Sequence, residues 1–460
     1  MARQTRGFAS TGQQRALLAV CAAVFMLLAA PRARIGPAGI PVYLFDVLGV
    51  LAFALAYTLP YPTGAFIRRA KNLFAAFMVL ILISQINCAV LLTSTTNAAY
   101  MAARYVSSGM LAVAFYKLAA RRESFDLLIK TIIAGSCFSA AFSILSSLPF
   151  TRSLIEPLLQ ADFLNPAAKF VRLDSQYAMR GNTLIGTSTI TAGFLTSMWP
   201  IVACMPLIAA GPSSVWNRFR GAMAALVAFG ALATYSRGGL VALGAACAVL
   251  LVKGSVKTRR ASTALIVAVC AVAYMAPKDS DALMIDRYEK RFGAMIDGVR
   301  AGGQFESSNE AGRFQSYIYP FLWVLDHPEA AIMGYGNDAG KRTKFNRGTV
   351  PWYDSHALVP RTMYQFGAVA AVILVWLLTS TVTGLGRQRA GDSEASTQAS
   401  ASIYAMFAAA SIWFLVGHAA ISTTRGFTLT MIMIALALAV RTHLRPDSAI
   451  LGLGVRAKGG

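Results

Sequence analysis

The sequence predicts an all-α, polytopic membrane helix bundle of about twelve transmembrane helices with one large, partly helical periplasmic loop. Three observations predict it. Apolar residues make up 56% of the 460-residue chain, and the mean hydropathy is +0.55. Apolar runs of about 17 to 25 residues, each able to cross a hydrocarbon core of about 30 Å, recur along the chain. The basic residues gather on alternate connections between those runs.

The runs fall near residues 15–32, 39–59, 72–93, 98–117, 127–148, 185–210, 219–235, 238–253, 261–277, 361–381, 401–421 and 425–441. The first follows a basic stretch and ends in Ala29-Ala30 before Pro31. Proline directly after the small residues disfavours cleavage, so this run is expected to be an uncleaved signal anchor. Residues 1–277 then hold nine spans with a small periplasmic loop near 150–184, in which Ser153 to Leu159 suggests a short interfacial helix. Residues 278–360 form the large periplasmic loop, with Phe314, Tyr317, Ile318, Phe321, Leu322 and Leu325 at helical spacing. Residues 361–460 hold the last three spans and a cytoplasmic tail, and Gly386 to Ser402 is expected to be a polar linker.

A net charge of +22 would point to nucleic acid in a soluble chain. Sorting the charges by membrane side removes that inference. With the N-terminus in the cytoplasm, Arg68, Arg69, Lys71, Lys117, Arg121, Arg122, Arg218, Arg220, Lys253, Arg259 and Arg260 all lie inside on short connections. The positive-inside rule therefore places both termini in the cytoplasm and the long segment in the periplasm of a bacterial inner membrane. Membrane lipid is the implied surroundings and nucleic acid is not a partner. All six cysteines lie in predicted spans, which gives neither a disulfide framework nor a zinc site.

Function is expected in the watery excursion and the helix ends beside it, where side chains are free of the demands of lipid. Tyr235-Ser236-Arg237-Gly238-Gly239 falls at the exterior junction of two closely spaced runs. An arginine there fits two readings: a guanidinium that grips a lipid diphosphate bidentately, or a snorkelling side chain at a tight turn. His327-Pro328, then Gly334-Tyr335-Gly336-Asn337, reads as a glycine-rich turn. A nucleotide loop would need glycine where Tyr335 stands before Gly340-Lys341. In Asp354-Ser355-His356, a histidine that titrates near neutrality could take the proton from an attacking hydroxyl, with Asp354 orienting or charge-stabilising the ring. Arg361 follows at the start of a span, and Arg425 tops another at an exterior helix end. Asp46, Arg104 and Lys130 are ionisable groups in or near spans, a placement that marks function by default. Asp279 and Asp281 are solvated acids at a loop start, and no metal site is expected.

Taken in order, Ser236-Arg237-Gly238-Gly239, Gly312-Arg313, His327-Pro328, Gly334-Tyr335-Gly336-Asn337, Ser355-His356-Ala357-Leu358 and Tyr364-Gln365-Phe366-Gly367 resemble the O-antigen ligase and O-antigen polymerase superfamily. The resemblance covers about Leu232 to Leu378. It implies a metal-independent membrane glycosyltransferase without a cofactor. The donor would be an undecaprenyl-diphosphate-linked oligosaccharide, and the acceptor a growing glycan or the lipid A core. It also implies catalytic roles for Arg237, Arg313 and His356. Arg237, Arg313, Arg361, Arg425 and Asp354 would contact the diphosphate or the glycan. Where the family commonly has asparagine after the histidine, this chain has Ala357. Polymerisation of an exopolysaccharide or O-antigen and ligation to lipid A core both fit these motifs. A lipid-linked glycan transporter would instead place function on Asp46, Arg104 and Lys130, and a noncatalytic scaffold would need none of these residues.

Overall fold

The computed structural model describes residues 11–30, 42–62, 64–92, 95–148, 150–151, 188–207, 214–234, 236–275, 325, 328–336, 358–383, 385, 394–416 and 424–444. Its regular structure is helical, with no β-strand among the described residues. The helices longer than one turn are α1 (Thr11–Ala29), α2 (Leu44–Ala56), α3 (Ala65–Leu92), α4 (Thr95–Ala119), α5 (Arg122–Ser147), α6 (Ser188–Cys204), α7 (Arg220–Leu232) and α8 (Arg237–Lys253). They continue as α9 (Val256–Met275), α10 (Pro328–Met333), α11 (Leu358–Phe366), α12 (Ala368–Thr383), α13 (Glu394–Val416) and α14 (Thr424–His443). Each apolar run of the sequence overlaps one of these helices, the run near 361–381 being split between α11 and α12.

Thr11–Ala29, Ala65–Val90, Arg122–Ser147, Glu394–Leu415 and Arg425–His443 are long and apolar enough to cross a membrane outright. Leu44–Ala56, Ile190–Cys204, Arg220–Leu232, Gly238–Lys253 and Ala368–Thr383 are apolar but shorter. The chain is an all-α polytopic helix bundle, as the hydropathy predicts.

Side-chain hydrogen bonds set the relative directions of the helices. Ser107 Oγ donates to Asp46 Oδ1 at 2.9 Å, while Lys117 Nζ donates to the carbonyls of Ala56 and Tyr57 at 3.1 and 2.9 Å. Rising residue numbers on α4 meet rising numbers on α2, so the two are parallel. Ser108 pairs with Thr428 at 2.7 Å, and His443 Nε2 lies 2.7 Å from the Ala119 carbonyl, so α4 and α14 are parallel as well. Arg121 donates to Gln13, and Ser139 to the Leu28 carbonyl, which makes α1 and α5 parallel. In contrast, Trp199 Nε1 donates to the Ala224 carbonyl at 3.1 Å and Arg220 Nε to the Val202 carbonyl at 3.1 Å. These contacts run α6 and α7 in opposite senses. This is the pattern a chain makes when consecutive helices cross in alternation.

Glycine lets the helix backbones close up, the usual device where lipid supplies no hydrophobic drive. A methyl on Gly230 of α7 would lie 2.6 Å from Ala140 Cα on α5, and one on Gly239 of α8 would lie 2.7 Å from Ala192 Cβ on α6. The ring of Trp413 on α13 rests directly on Gly193 of α6.

At the bundle's centre α4 packs against α2, α3 and α14. Its Ser107, Ser108 and Lys117 are buried, and their hydrogen bonds go to neighbouring helices and to the α4 backbone. A polar helix is tolerated here because protein surrounds it. The expected polar linker from Gly386 to Ser402 is shorter than its composition suggests, since α13 begins at Glu394. The small polar residues there sit within the helix: Ser400 Oγ donates to the Ser396 carbonyl at 3.1 Å and Ser402 Oγ to the Gln398 carbonyl at 2.7 Å. The interfacial helix expected at Ser153 to Leu159 lies outside the described residues, as does the apolar stripe from Phe314 to Leu322.

Candidate functional site

The glycine-rich turn does more than reverse the chain. Gly334 and Gly336 adopt φ of +58° and +65°, the left-handed region that glycine enters without a Cβ clash. Tyr335, only 1% exposed, is held between them. The Tyr335 N–H donates to the Tyr364 carbonyl at 3.2 Å and the Gly336 N–H to the Gln365 carbonyl at 2.8 Å, pinning the turn to the end of α11. Asn87 Nδ2 of α3 donates to the Gly334 carbonyl at 2.6 Å. A side chain on Gly336 would strike Cys88 Cβ at 2.6 Å and the Ser84 carbonyl oxygen at 2.9 Å. Residues 334–336 thus wedge between α3 and α11. Gly367, with φ of +95°, breaks α11 from α12 beside the same turn.

Arg237 is the first residue of α8. Ser236 caps that helix, its Oγ accepting from the Gly239 N–H at 3.3 Å, as a serine at this position does. The Ser236 N–H is in turn directed to Thr234 Oγ1 at 3.3 Å. Gly239 serves close packing against α6 rather than approach of a ligand. The partial positive charge of the helix N-terminus is a setting that favours an anion.

Arg361 is half-buried on α11 and Arg425 half-buried near the start of α14. Each helix carries an aromatic onto one shared cluster. Phe366 meets Tyr105 edge-on at 5.3 Å and Phe77 at 6.4 Å, and Phe427 meets the same two rings at 4.9 and 6.2 Å. The helices bearing Arg361 and Arg425 are therefore anchored side by side on α3 and α4.

Next to this cluster lies a charged constellation. Arg104 Nε donates to Asp46 Oδ2 at 3.0 Å, with both side chains about nine-tenths buried. The Arg104 guanidinium carbon lies 4.2 Å from the ring centroid of Tyr43 and 5.5 Å from that of Tyr100. The Arg425 guanidinium carbon lies 4.8 Å from the same Tyr43 ring. Of the intramembrane charges singled out in the sequence, Asp46 and Arg104 come together and draw in Arg425. Lys130, half-buried on α5, enters none of these contacts.

Arg313, Asp354 and His356 lie outside the described residues, as do His327, Asp279 and Asp281. Sequence reasoning missed Tyr43, Tyr100 and Asn87. An aromatic three residues before Asp46 and another four before Arg104 were available as a signal, because arginine in a helix favours ring faces within a turn.

The fold and these residues define a polytopic helical membrane protein with Arg237, Arg361 and Arg425 each in the first turn of a helix. A family model described as O-antigen ligase matches residues 222–375, about a third of the chain and nearly the stretch over which the ordered motifs run. The match falls on the stretch whose ordered motifs resemble the O-antigen ligase and polymerase superfamily, so this third of the chain is similar to that family. No curated protein matches the chain.

Proposed function

We propose that the protein transfers glycan at the periplasmic face of the inner membrane, from an undecaprenyl-diphosphate-linked oligosaccharide to a sugar hydroxyl, polymerising repeat units of an exopolysaccharide or O-antigen without a metal. The observation that carries this reading is the family match across the stretch that holds Arg237, Arg313, His356 and Arg361 in order. In the step itself, His356 accepts the proton of the acceptor hydroxyl as its oxygen attacks the anomeric carbon. The bond from that carbon to the diphosphate breaks, and undecaprenyl diphosphate leaves. Arg237 and Arg313 stabilise the charge gathering on the diphosphate, the term that usually contributes most to such catalysis. Arg361 and Arg425 add positive field, and Asp354 orients or charge-stabilises His356. Because the glycosyl diphosphate already stores the energy, no nucleotide is needed.

The placement of Arg237 at a capped helix N-terminus supports its share of this role. The glycine-rich turn supports the share of Arg361, since the Tyr335 and Gly336 amides are pinned to that residue's helix. A second reading, ligation of the glycan to lipid A core, is favoured by the match to a family described as O-antigen ligase.

Incubating the purified protein and its His356→Ala variant with the cognate lipid-linked repeat unit alone, and resolving products by length, tests both. A His356-dependent ladder supports polymerisation. Unchanged substrate, with His356-dependent transfer restored by adding lipid A core, supports ligation. Transfer that survives His356→Ala under either condition overturns the catalytic assignment.

A further inference from the structure

We propose that Asp46, Arg104 and Tyr43 form a buried post whose task is to position Arg425 against the diphosphate of the lipid-linked donor. The inference rests on the reading of Arg425 as a diphosphate contact. None of the three post residues touches the substrate; they are positioning residues, drawn from two helices far in sequence from the family match.

The geometry runs from the inside outward. Both carboxylate oxygens of Asp46 are engaged, Oδ2 by Arg104 Nε at 3.0 Å and Oδ1 by Ser107 Oγ at 2.9 Å. Arg104, its side chain 11% exposed, is thereby fixed in direction as well as charge. Its guanidinium lies against the Tyr43 ring at 4.2 Å, and that ring is itself buried. Tyr43 then offers the same ring to Arg425 at 4.8 Å. One carboxylate and two guanidinium groups leave the constellation with a single net positive charge. Arg104 is committed to Asp46 in the interior, whereas Arg425 is half-buried at the start of α14. A long arginine side chain loses much rotamer entropy when it binds an anion, and resting on a fixed ring removes part of that loss beforehand. The Asp46 carboxylate keeps Arg104 from repelling Arg425, so the two guanidinium groups can share one ring.

The test uses the full-length protein in phosphatidylcholine nanodiscs, where no anionic headgroup competes, with farnesyl diphosphate as the probe. Arg425→Gln should weaken binding about tenfold, as loss of a charged contact does. Tyr43→Leu should weaken it about fivefold, while Tyr43→Phe, which keeps the ring, restores it. In the double variant Tyr43→Leu with Arg425→Gln, binding should be no weaker than in Arg425→Gln alone, because the post acts only through that arginine.

If Arg425→Gln leaves binding unchanged, the reading of Arg425 as a diphosphate contact fails and takes the post with it. If Arg425→Gln weakens binding but Tyr43→Leu does not, or the two losses multiply, the post is overturned while the role of Arg425 stands. Asp46→Asn separates position from field. A post predicts weaker binding, whereas a cluster acting only by charge would bind the diphosphate more tightly once a negative charge is removed. Should Asp46→Asn fail to fold, the Tyr43 pair decides the matter alone.

Discussion

Replacing Gly334 by alanine adds a single methyl group where the backbone has no room for it. With φ of +58°, a non-glycine residue costs about 1 to 2 kcal/mol in the left-handed conformation. The new Cβ would also press on the Gln365 carbonyl group and sit 2.6 Å from the Gly367 nitrogen. These are backbone atoms at a helix end and cannot swing aside. Relief requires the turn to back away from α11, which breaks the hydrogen bonds of the Tyr335 and Gly336 amides and strains the one from Asn87. At about 1 kcal/mol net for each lost bond, the combined penalty is roughly 3 to 4 kcal/mol. Hydrogen–deuterium exchange read at the Tyr335 and Gly336 amides should accordingly accelerate by at least about a hundredfold, since each 1.4 kcal/mol is a factor of ten. Helix α8, which takes no part in these hydrogen bonds, should keep its protection. Glycan transfer by the same preparation should fall, because the segment that precedes His356 loses its anchorage. Unchanged exchange at both amides, or full transfer with the turn demonstrably released, would refute this account of the wedge.

Arg237→Lys should lose most transfer activity in the product-length assay while unfolding at the wild-type temperature, because an ammonium cannot grip a diphosphate bidentately. Gly193→Ala should lower the unfolding temperature in detergent, with a cost of about 1 to 3 kcal/mol for forcing a methyl into the face of Trp413. Arg104→Leu should destabilise the bundle by about 3 to 5 kcal/mol by stranding the Asp46 carboxylate, and the double variant with Asp46→Leu should regain most of that stability. Thermal unfolding followed by tryptophan fluorescence checks both, and a double variant no more stable than Arg104→Leu would contradict the pairing.

The helices were legible because lipid imposes a coarse rule that hydropathy reads directly. Even the glycine-rich turn announced itself, since the pair Gly334 and Gly336 flanking a tyrosine fits no phosphate loop. What the sequence could not show was partnership. Asp46 and Arg104 look like isolated charges in a linear chain, yet each falls about six or seven residues into an apolar run, and both runs cross in the same direction. Equal depth on parallel helices was the available clue; which helices are neighbours was not. Gly239, two residues after Arg237, could give room to a ligand or to a neighbouring helix, and it makes room for Ala192. A glycine in a membrane helix admits either kind of guest, and the choice is made by a helix some forty residues earlier. Legibility of the linker failed for a related reason, because serines that solvate a loop can equally bond their own helix, as Ser400 and Ser402 do.

The central position of α4 has a consequence for how the molecule is made. Arg104, Ser107, Ser108 and Lys117 leave this helix poorly suited to stand alone in hydrocarbon. Some of its shelter arrives early, with Asp46 and the carbonyls of Ala56 and Tyr57 already synthesised on α2. The remainder comes from α14, whose Thr428 meets Ser108 across 320 residues of chain and whose His443 reaches the Ala119 carbonyl. Throughout synthesis of the intervening helices, one flank of α4 therefore waits uncovered. Until α14 docks, Ser108 and the Ala119 carbonyl lack these partners, and its docking closes a polar seam along α4.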